Sequence, residues 1–202
     1  MIMIRTLVLA LAAALCAGSA SAEAKIPLAR ISAYLNSFVT AKAEFTQVNG
    51  DGTISTGTLF IKRPGRARFE YAPPNDALVI AGGSQVAIYD PKSNQPPEQY
   101  PLSRTPLNII LARNVALSNE RMVVAHSSDG TTTSVVAQDP EHPEYGNIRL
   151  VFTDDPVQLR QWVITDNAGG ETTVILGDMT TGVDLRSSLF NIVLETQERM
   201  RQ

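Results

Sequence analysis

Near its start the chain places apolar residues at helical spacing. Leu28, Ile31 and Leu35 recur three or four residues apart, and Pro27 stands where the first turn of a helix accepts proline. This pattern predicts an amphipathic helix over Ile26–Phe38. The apolar face of this helix must pack against another apolar surface, which the rest of the chain has to provide.

Beyond this helix the chain becomes a series of short alternating runs separated by turn residues. Asn49-Gly50-Asp51-Gly52 is typical of a β-hairpin, and Arg63-Pro64-Gly65 marks another tight connection. The predicted strands are Ala41–Asn49, Thr53–Lys62, Arg66–Tyr71, Ala77–Ala81, Gln85–Asp90, Arg121–His126, Thr132–Gln138, Asn147–Thr153, Gln158–Asp166 and Glu171–Asp178. About ten strands at hairpin spacing predict a mainly β fold, with one large antiparallel sheet curled into a barrel or half-barrel.

Two segments interrupt the strands. Asp90–Pro101 contains four prolines and is predicted to be an exposed loop. Thr105–Asn114 is predicted to be a short helix, because Thr105 suits a helix cap and Pro106 suits the first helical position. The chain shows no internal repeat, low-complexity tract or linker, so we expect a single domain.

The alternation within the strands leaves two possibilities for the interior. Arg66–Tyr71 places Ala67, Phe69 and Tyr71 on one face, and Asn147–Thr153 places Ile148, Leu150 and Phe152 on one face. Such strands normally serve an ordinary packed core. A curled sheet of this size, however, has more apolar inner face than two short helices readily cover, and the remainder then forms an apolar pocket.

The first 22 residues have the pattern of an export signal. Arg5 precedes the apolar run Thr6–Ala17, and Ala20-Ser21-Ala22 fits the small-residue rule for signal-peptide cleavage. We therefore expect residues 1–22 to be removed and residues 23–202 to form one mature domain in the periplasm. The alternative of an uncleaved membrane anchor is disfavoured, because the run is too short to span a bilayer.

Cys16 raises the further possibility of lipidation. A lipidated cysteine normally follows a small residue, whereas Cys16 follows Leu15. We therefore expect an unlipidated mature chain. Because Cys16 is the one cysteine of the sequence, the mature domain has neither a disulfide nor a thiol nucleophile.

Charge and composition exclude several classes of function. The net charge is −3, and loss of the signal segment with Arg5 makes it −4. A mildly acidic chain without a basic run gives no reason to propose nucleic acid binding.

Neither His126 nor His142 has metal-ligand or catalytic spacing, and no nucleophile elbow, phosphate loop or dinucleotide motif occurs. We expect no metal, no cofactor and no catalytic residue, so an enzyme is the minor alternative. A weak metal site at Glu141, His142 and Glu144 is weighed against a solvated loop, which is the more common outcome.

Three stretches, in order, resemble the periplasmic lipoprotein carrier family LolA. The first is the opening helix followed by Phe45-Thr46-Gln47, and the second is Gly57–Tyr71, where Lys62-Arg63-Pro64 lies between two strands. The third is Pro106–Asn114, which is similar to the family's lid helix. The closing segment Asp184–Phe190 is also similar, so the likeness covers nearly the whole mature chain.

The resemblance implies a fold and a function. The family's fold is an unclosed antiparallel β half-barrel covered by short α-helices, with an apolar cavity that receives the acyl chains of lipoproteins. It implies acylated lipoproteins as cargo, an inner-membrane lipoprotein-releasing ABC transporter complex as the loading partner, and in some members an outer-membrane receptor. We expect the carrier itself to use no nucleotide and to act as a monomer. The alternative is a periplasmic lipid-binding or envelope-sensing module on the same half-barrel.

The resemblance also implies roles for individual residues. Arg63 corresponds to the family's latch arginine, which donates hydrogen bonds to backbone carbonyls of the lid, whereas the turn alone suggests a solvated side chain. Ala67 departs from the bulky apolar residue common at that place, which puts cargo retention in question. The residues expected to line the acyl-chain cavity are Leu28, Ile31, Leu35, Phe45, Leu59, Ile61, Ala67, Phe69, Tyr71, Ile88, Leu107, Ile110, Leu111, Ile148, Leu150 and Phe152.

Overall fold

The computed structural model describes residues 25–93, 95–118 and 121–201. Within them, twelve strands form one antiparallel sheet. The strands are β1 Thr40–Asn49, β2 Ile54–Lys62, β3 Ala67–Tyr71, β4 Leu78–Gly82, β5 Gln85–Tyr89, β6 Glu98–Pro101, β7 Val123–Ser128, β8 Thr132–Gln138, β9 Asn147–Thr153, β10 Gln158–Thr165, β11 Glu171–Leu176 and β12 Thr180–Thr181. The helices are α1 Leu28–Asn36, α2 Leu107–Leu111 and α3 Ile192–Arg199.

The sheet is curled but not closed. Its strand order is β6-β5-β4-β3-β2-β1-β11-β10-β9-β8-β7, and β12 adds to one end of β1. The two edge strands, β6 and β7, pair with their neighbours and not with each other. A register shift in β7 between Val123 and Ala125 and a proline at the end of β6 interrupt these edges, which discourages pairing with another chain.

The concave face of the sheet carries the main core, and α1 and α2 cover it. Alternate residues of the long central strands β1 and β2 point inward, because side chains of a strand alternate between the two faces. Ile31 and Leu35 of α1 and all but one residue of α2 are buried against this core. The helix and sheet faces that the hydrophobic pattern predicts therefore meet.

A second, smaller core lies on the convex face, where α3 packs. Leu78, Ile80, Ala87 and Tyr89 point outward from β4 and β5 and are 0–5% exposed. Ile192 of α3 packs on them, and the Tyr89 hydroxyl donates to the Ile192 carbonyl at 3.0 Å. Strands β4 and β5 are thus buried on both faces.

Ion pairs anchor α3 to the convex face. The Arg68 guanidinium on β3 contacts the carboxylates of Glu195, at 2.9 Å, and of Glu70, at 2.6 Å, and also donates to the Leu189 carbonyl. Burial alone raises the pKa of Glu195, but hydrogen bonds from Arg68 and Arg199 outweigh it and hold that pKa below its ordinary value. Glu195 therefore stabilises the packing of α3 while it is ionised, and this contribution is lost as the pH falls through its lowered pKa.

The predicted fold class is confirmed, with three corrections in detail. The predicted helix Thr105–Asn114 is shorter, since α2 ends at Leu111 and Ala112 turns to extended backbone. The predicted loop Asp90–Pro101 ends in strand β6, because Glu98–Pro101 pairs with β5. Helix α3 and the two-residue strand β12 were not predicted. The expected signal peptide, residues 1–22, lies outside the described residues, within which no helix is long and apolar enough to cross a membrane.

Candidate functional site

The predicted cavity residues converge on the concave face. Thirteen of the sixteen are buried, at 0–8% exposed, and belong to one contiguous core. They are Ile31, Leu35, Phe45, Leu59, Ile61, Ala67, Phe69, Leu107, Ile110, Leu111, Ile148, Leu150 and Phe152. In this closed arrangement their side chains pack against one another, so the interior is a filled apolar core beneath α1 and α2.

The other three predicted residues lie at its margins. Leu28 and Tyr71 are half-buried and pack against the core. Ile88 is half-buried and shares the concave face by register, because it pairs with Val79, which pairs with Phe69. The Tyr71 hydroxyl donates to the Gln47 side chain at 2.6 Å, and burial raises the pKa of Tyr71 to about 12.

Aromatic rings form the centre of the core. Phe69 packs edge-to-face on Phe45 and on Trp162, with ring centroids 5.6 and 6.3 Å apart. Trp162 was not among the predicted cavity residues, although it is 1% exposed and lies on the inner face of β10. Val115 and Leu117, which follow α2, were also missed and are 2% and 0% exposed.

Arg63 lies in the turn between β2 and β3, yet only 5% of it is exposed. The interpretation as a solvated turn residue is therefore wrong. The Arg63 Nη2 group donates to the carbonyls of Leu35 and, at 3.0 Å, Phe38, and the guanidinium lies over the Phe38 ring, 4.5 Å from its centroid. These carbonyls belong to the C-terminal end of α1 and the residues after it, not to the predicted lid helix Pro106–Asn114.

The same turn also holds α2 through its backbone. The Gly65 amide donates to the Leu111 carbonyl at 2.8 Å, and the Arg63 amide donates to the Val39 carbonyl at 2.8 Å. Gly65 has a φ of +68°, a left-handed conformation that glycine adopts without steric cost. One turn of the sheet thus contacts the C-terminal ends of both covering helices.

The environment of Arg63 is electrostatically costly. Burial lowers its pKa, and its Nε group has no hydrogen-bond partner among the described residues. No carboxylate within the described part of the chain pairs with it. A buried cation held only by carbonyls and an aromatic ring is stabilised less than one in an ion pair, so the Arg63 contacts are suited to being broken and remade.

A polar seam joins α1 to the segment that follows α2. The Asn36 side chain accepts from the Val115 amide and donates to the Val115 carbonyl, both at 2.9 Å. The Ser32 hydroxyl accepts from the Leu117 amide at 3.0 Å. Residues four apart on a helix are separated by roughly 6 Å, close to the roughly 6.6 Å between alternate residues of an extended chain. This match lets α1 and the Val115–Leu117 segment bond at two successive points.

Loss of the Ser32 hydroxyl is expected to destabilise the protein. Ser32→Ala leaves the buried Leu117 amide without an acceptor, so the free energy of unfolding should fall by about 1–3 kcal/mol. Ser37→Ala is the matched control, because the Ser37 hydroxyl is exposed and donates to the Tyr34 carbonyl within its own turn. Urea unfolding of both variants measures the difference, and equal losses would contradict the importance of the seam.

Three open pockets lie outside the filled core, and one of them reaches the margin of the predicted site. This pocket, of about 590 Å³, is lined by Glu44, Thr58 and Glu70 and also by the predicted residues Phe45 and Tyr71. Two others, of about 530 and 400 Å³, flank α3. The described residues contain no group of three histidine, cysteine or acidic side chains that could hold a metal, and His142 instead pairs with Glu144 and stacks on Tyr145.

Comparison with known proteins assigns the family. Residues 36–193 match the model of the outer membrane lipoprotein carrier protein LolA family. The chain belongs to the LolA family. The outer-membrane lipoprotein carrier protein of Pseudomonas aeruginosa is 28% identical over 202 aligned positions, covering 94% of this chain and 95% of that protein. The protein of the same name from Methylococcus capsulatus is 26% identical, covering 87% of this chain and 88% of its own length.

A solved structure is also similar to this LolA family member. It is a putative outer membrane lipoprotein-sorting protein domain from Vibrio parahaemolyticus, with a TM-score of 0.49 and 11% sequence identity. The match covers 86% of this chain and 99% of that one.

Proposed function

We propose that this chain is a periplasmic carrier that binds the acyl chains of lipoproteins and carries them from the inner to the outer membrane. The observation that carries the proposal is the LolA match over residues 36–193, which includes α2 and strands β1 to β12. The proposal is also supported by the residues predicted to contact acyl chains, since ten of them lie on the concave face of the sheet and the other six on α1 and α2, which cover that face.

The packed interior requires that the helices move before cargo enters. Acyl chains occupy space that α1 and α2 fill in the closed state, so loading separates these helices from the sheet. Each buried methylene contributes roughly 0.8 kcal/mol, and full burial of several acyl chains would make release too slow for a carrier. Breaking the Arg63 contacts and the helix packing offsets part of that gain, which keeps the cargo transferable.

The proposal includes processing and partners. The chain is exported with a signal peptide, residues 1–22, and functions as residues 23–202, a single domain in the periplasm. It receives its cargo from an inner-membrane ABC transporter complex and delivers it to an outer-membrane receptor where one exists. The carrier acts by binding, without a cofactor and without a catalytic residue.

Binding of an acylated peptide tests the proposal. Trp162 is 1% exposed and touches Phe69 at the centre of the core, so its emission should be that of a buried indole and should change when acyl chains enter. A triacylated peptide should produce a saturable change with one-to-one stoichiometry, and the same peptide without acyl chains should produce none. If the acylated peptide leaves the Trp162 emission unchanged and no complex appears on gel filtration, the proposal is contradicted.

A further inference from the structure

Cations concentrate at the end of the sheet where both covering helices end. Lys62 and Arg66 flank the Arg63 turn, and Arg113 follows α2, which that turn contacts through Gly65. Lys42 lies near the same end of β1, and Arg186 follows Leu185, whose carbonyl accepts from the Lys62 ammonium group. We name these five residues the basic rim.

The basic rim is not neutralised by neighbouring carboxylates. None of its five side chains forms an ion pair with another described residue, unlike Arg68, Arg160 and Arg199, which do. The acidic residues nearest to it in the chain are Asp184, two residues before Arg186, and Glu44, two residues after Lys42 on the same face of β1.

The far ends of the same strands carry the opposite charge. The turn between β1 and β2 contains Asp51, and the turn between β3 and β4 contains Asp76. Asp166 and Glu171 lie where β10 turns into β11, beside the end of β1.

The end that carries the basic rim also holds five aspartates, of which Asp154 and Asp178 are paired with Arg30 and Arg160, whereas Asp129, Asp155 and Asp184 form no ion pair with a described residue. The five unpaired cations of the rim outnumber these three carboxylates, and a positive region of this kind orients the chain in the field of a negatively charged surface.

An exposed apolar residue lies within the basic rim. Val39 is 63% exposed, and its carbonyl accepts from the Arg63 amide. Cations around an exposed apolar side chain are typical of surfaces that rest on lipid headgroups, where the cations meet phosphates and the apolar group enters the interface. None of the five cations lines any of the pockets described above, which favours an extended lipid surface over a peptide-binding groove.

We propose that the basic rim docks the empty carrier on anionic phospholipid headgroups, with the ends of α1 and α2 toward the membrane. This orientation places the helices that must move next to the bilayer from which an acyl chain leaves. The inference goes beyond the proposed cargo binding and does not depend on it, because it concerns the carrier without cargo.

Vesicle flotation tests the docking. The purified mature chain should float with vesicles that contain phosphatidylglycerol and not with vesicles of phosphatidylcholine alone. Binding should weaken strongly between about 0.05 and about 0.5 M salt, because the Debye length shortens severalfold. Equal flotation with both vesicle types, or none with either, would overturn the proposal.

Matched neutral variants locate the surface. Each cation near an anionic membrane contributes about fivefold in binding, so Lys42→Gln, Arg113→Gln and Arg186→Gln together should weaken flotation about 100-fold. Lys92→Gln, Arg149→Gln and Arg201→Gln remove the same charge from exposed positions elsewhere, and should change flotation by the small amount that net charge alone contributes. Equal losses in the two triple variants would overturn the assignment to the basic rim.

Two further readouts separate this proposal from its alternatives. If the chain does not bind phosphatidylglycerol vesicles but binds polyglutamate, and the rim variant loses this binding, the surface docks an acidic protein and the membrane proposal is wrong. Binding of the triacylated peptide is measured on the same variants. If the rim variant loses docking but still binds the peptide, the docking proposal and the carrier function are both supported. If the wild-type chain binds the vesicles but not the peptide, the carrier function is refuted and the docking proposal stands.

Discussion

Arg63→Leu is expected to load cargo and to release it poorly. The substitution removes the donors to the Leu35 and Phe38 carbonyls, so the closed empty state becomes less stable relative to the open loaded state. Hydrogen bonds from a charged donor contribute about 1.5–3 kcal/mol each, less here because burial disfavours the cation. Transfer of cargo from the variant to an acceptor should therefore be about 10- to 100-fold less favourable.

The measurement is transfer of a fluorescent lipopeptide from the preloaded protein to acceptor vesicles. Arg149→Leu is the matched control, because Arg149 is an exposed arginine outside the basic rim. Thermal unfolding of both variants shows that they fold. Normal transfer by folded Arg63→Leu would contradict the role of Arg63 in closure.

Leu59→Ala is expected to weaken the fold and to strengthen acyl binding. Leu59 is 1% exposed on the concave face, so its truncation should cost about 2–5 kcal/mol of unfolding free energy. The same truncation leaves space where cargo otherwise has to displace packed side chains. An acylated peptide should therefore bind up to about tenfold more tightly, equivalent to one or two methylenes accommodated without displacement.

Leu78→Ala distinguishes this effect from general loosening. Leu78 is 2% exposed and belongs to the smaller core beneath α3, on the opposite face of the sheet. It should lose similar stability while peptide affinity stays within about twofold of wild type, since no acyl chain reaches that core. Similar changes of affinity in both variants would place the cargo elsewhere.

The hydrophobic pattern predicted the elements that depend on local spacing. Alternation in β8 and β9 gave their bounds without error, since each strand has one buried face and clear turns at its ends. Leu150 and Phe152 followed directly from this alternation. The role of Arg63 came from the resemblance, because an arginine before Pro64-Gly65 is typical of an exposed turn. Its burial depends on the carbonyls at the end of α1, which lie far from it in sequence.

Other features depend on contacts that no local pattern reveals. In the sequence, Ser32 and Asn36 look like ordinary polar residues of a helix. Their role depends on hydrogen bonds to the Val115–Leu117 segment, which is distant in sequence. Helix α3 escaped prediction because its apolar residues, Ile192 to Leu194, are consecutive and do not recur every three or four positions. The unbroken apolar run of β4, Leu78–Ala81, was the available signal, because a strand buried on both faces requires a second covering element.

Release of lipoproteins from membranes tests the carrier function most directly. Spheroplasts that retain newly made lipoproteins on the inner membrane are incubated with the purified mature protein, and the supernatant is examined for complexes. The account predicts a soluble one-to-one complex of lipoprotein and carrier, with no release by a carrier-free control. Absence of any released lipoprotein, by a protein that still binds an apolar dye, would contradict it and would indicate a lipid-binding or sensing module.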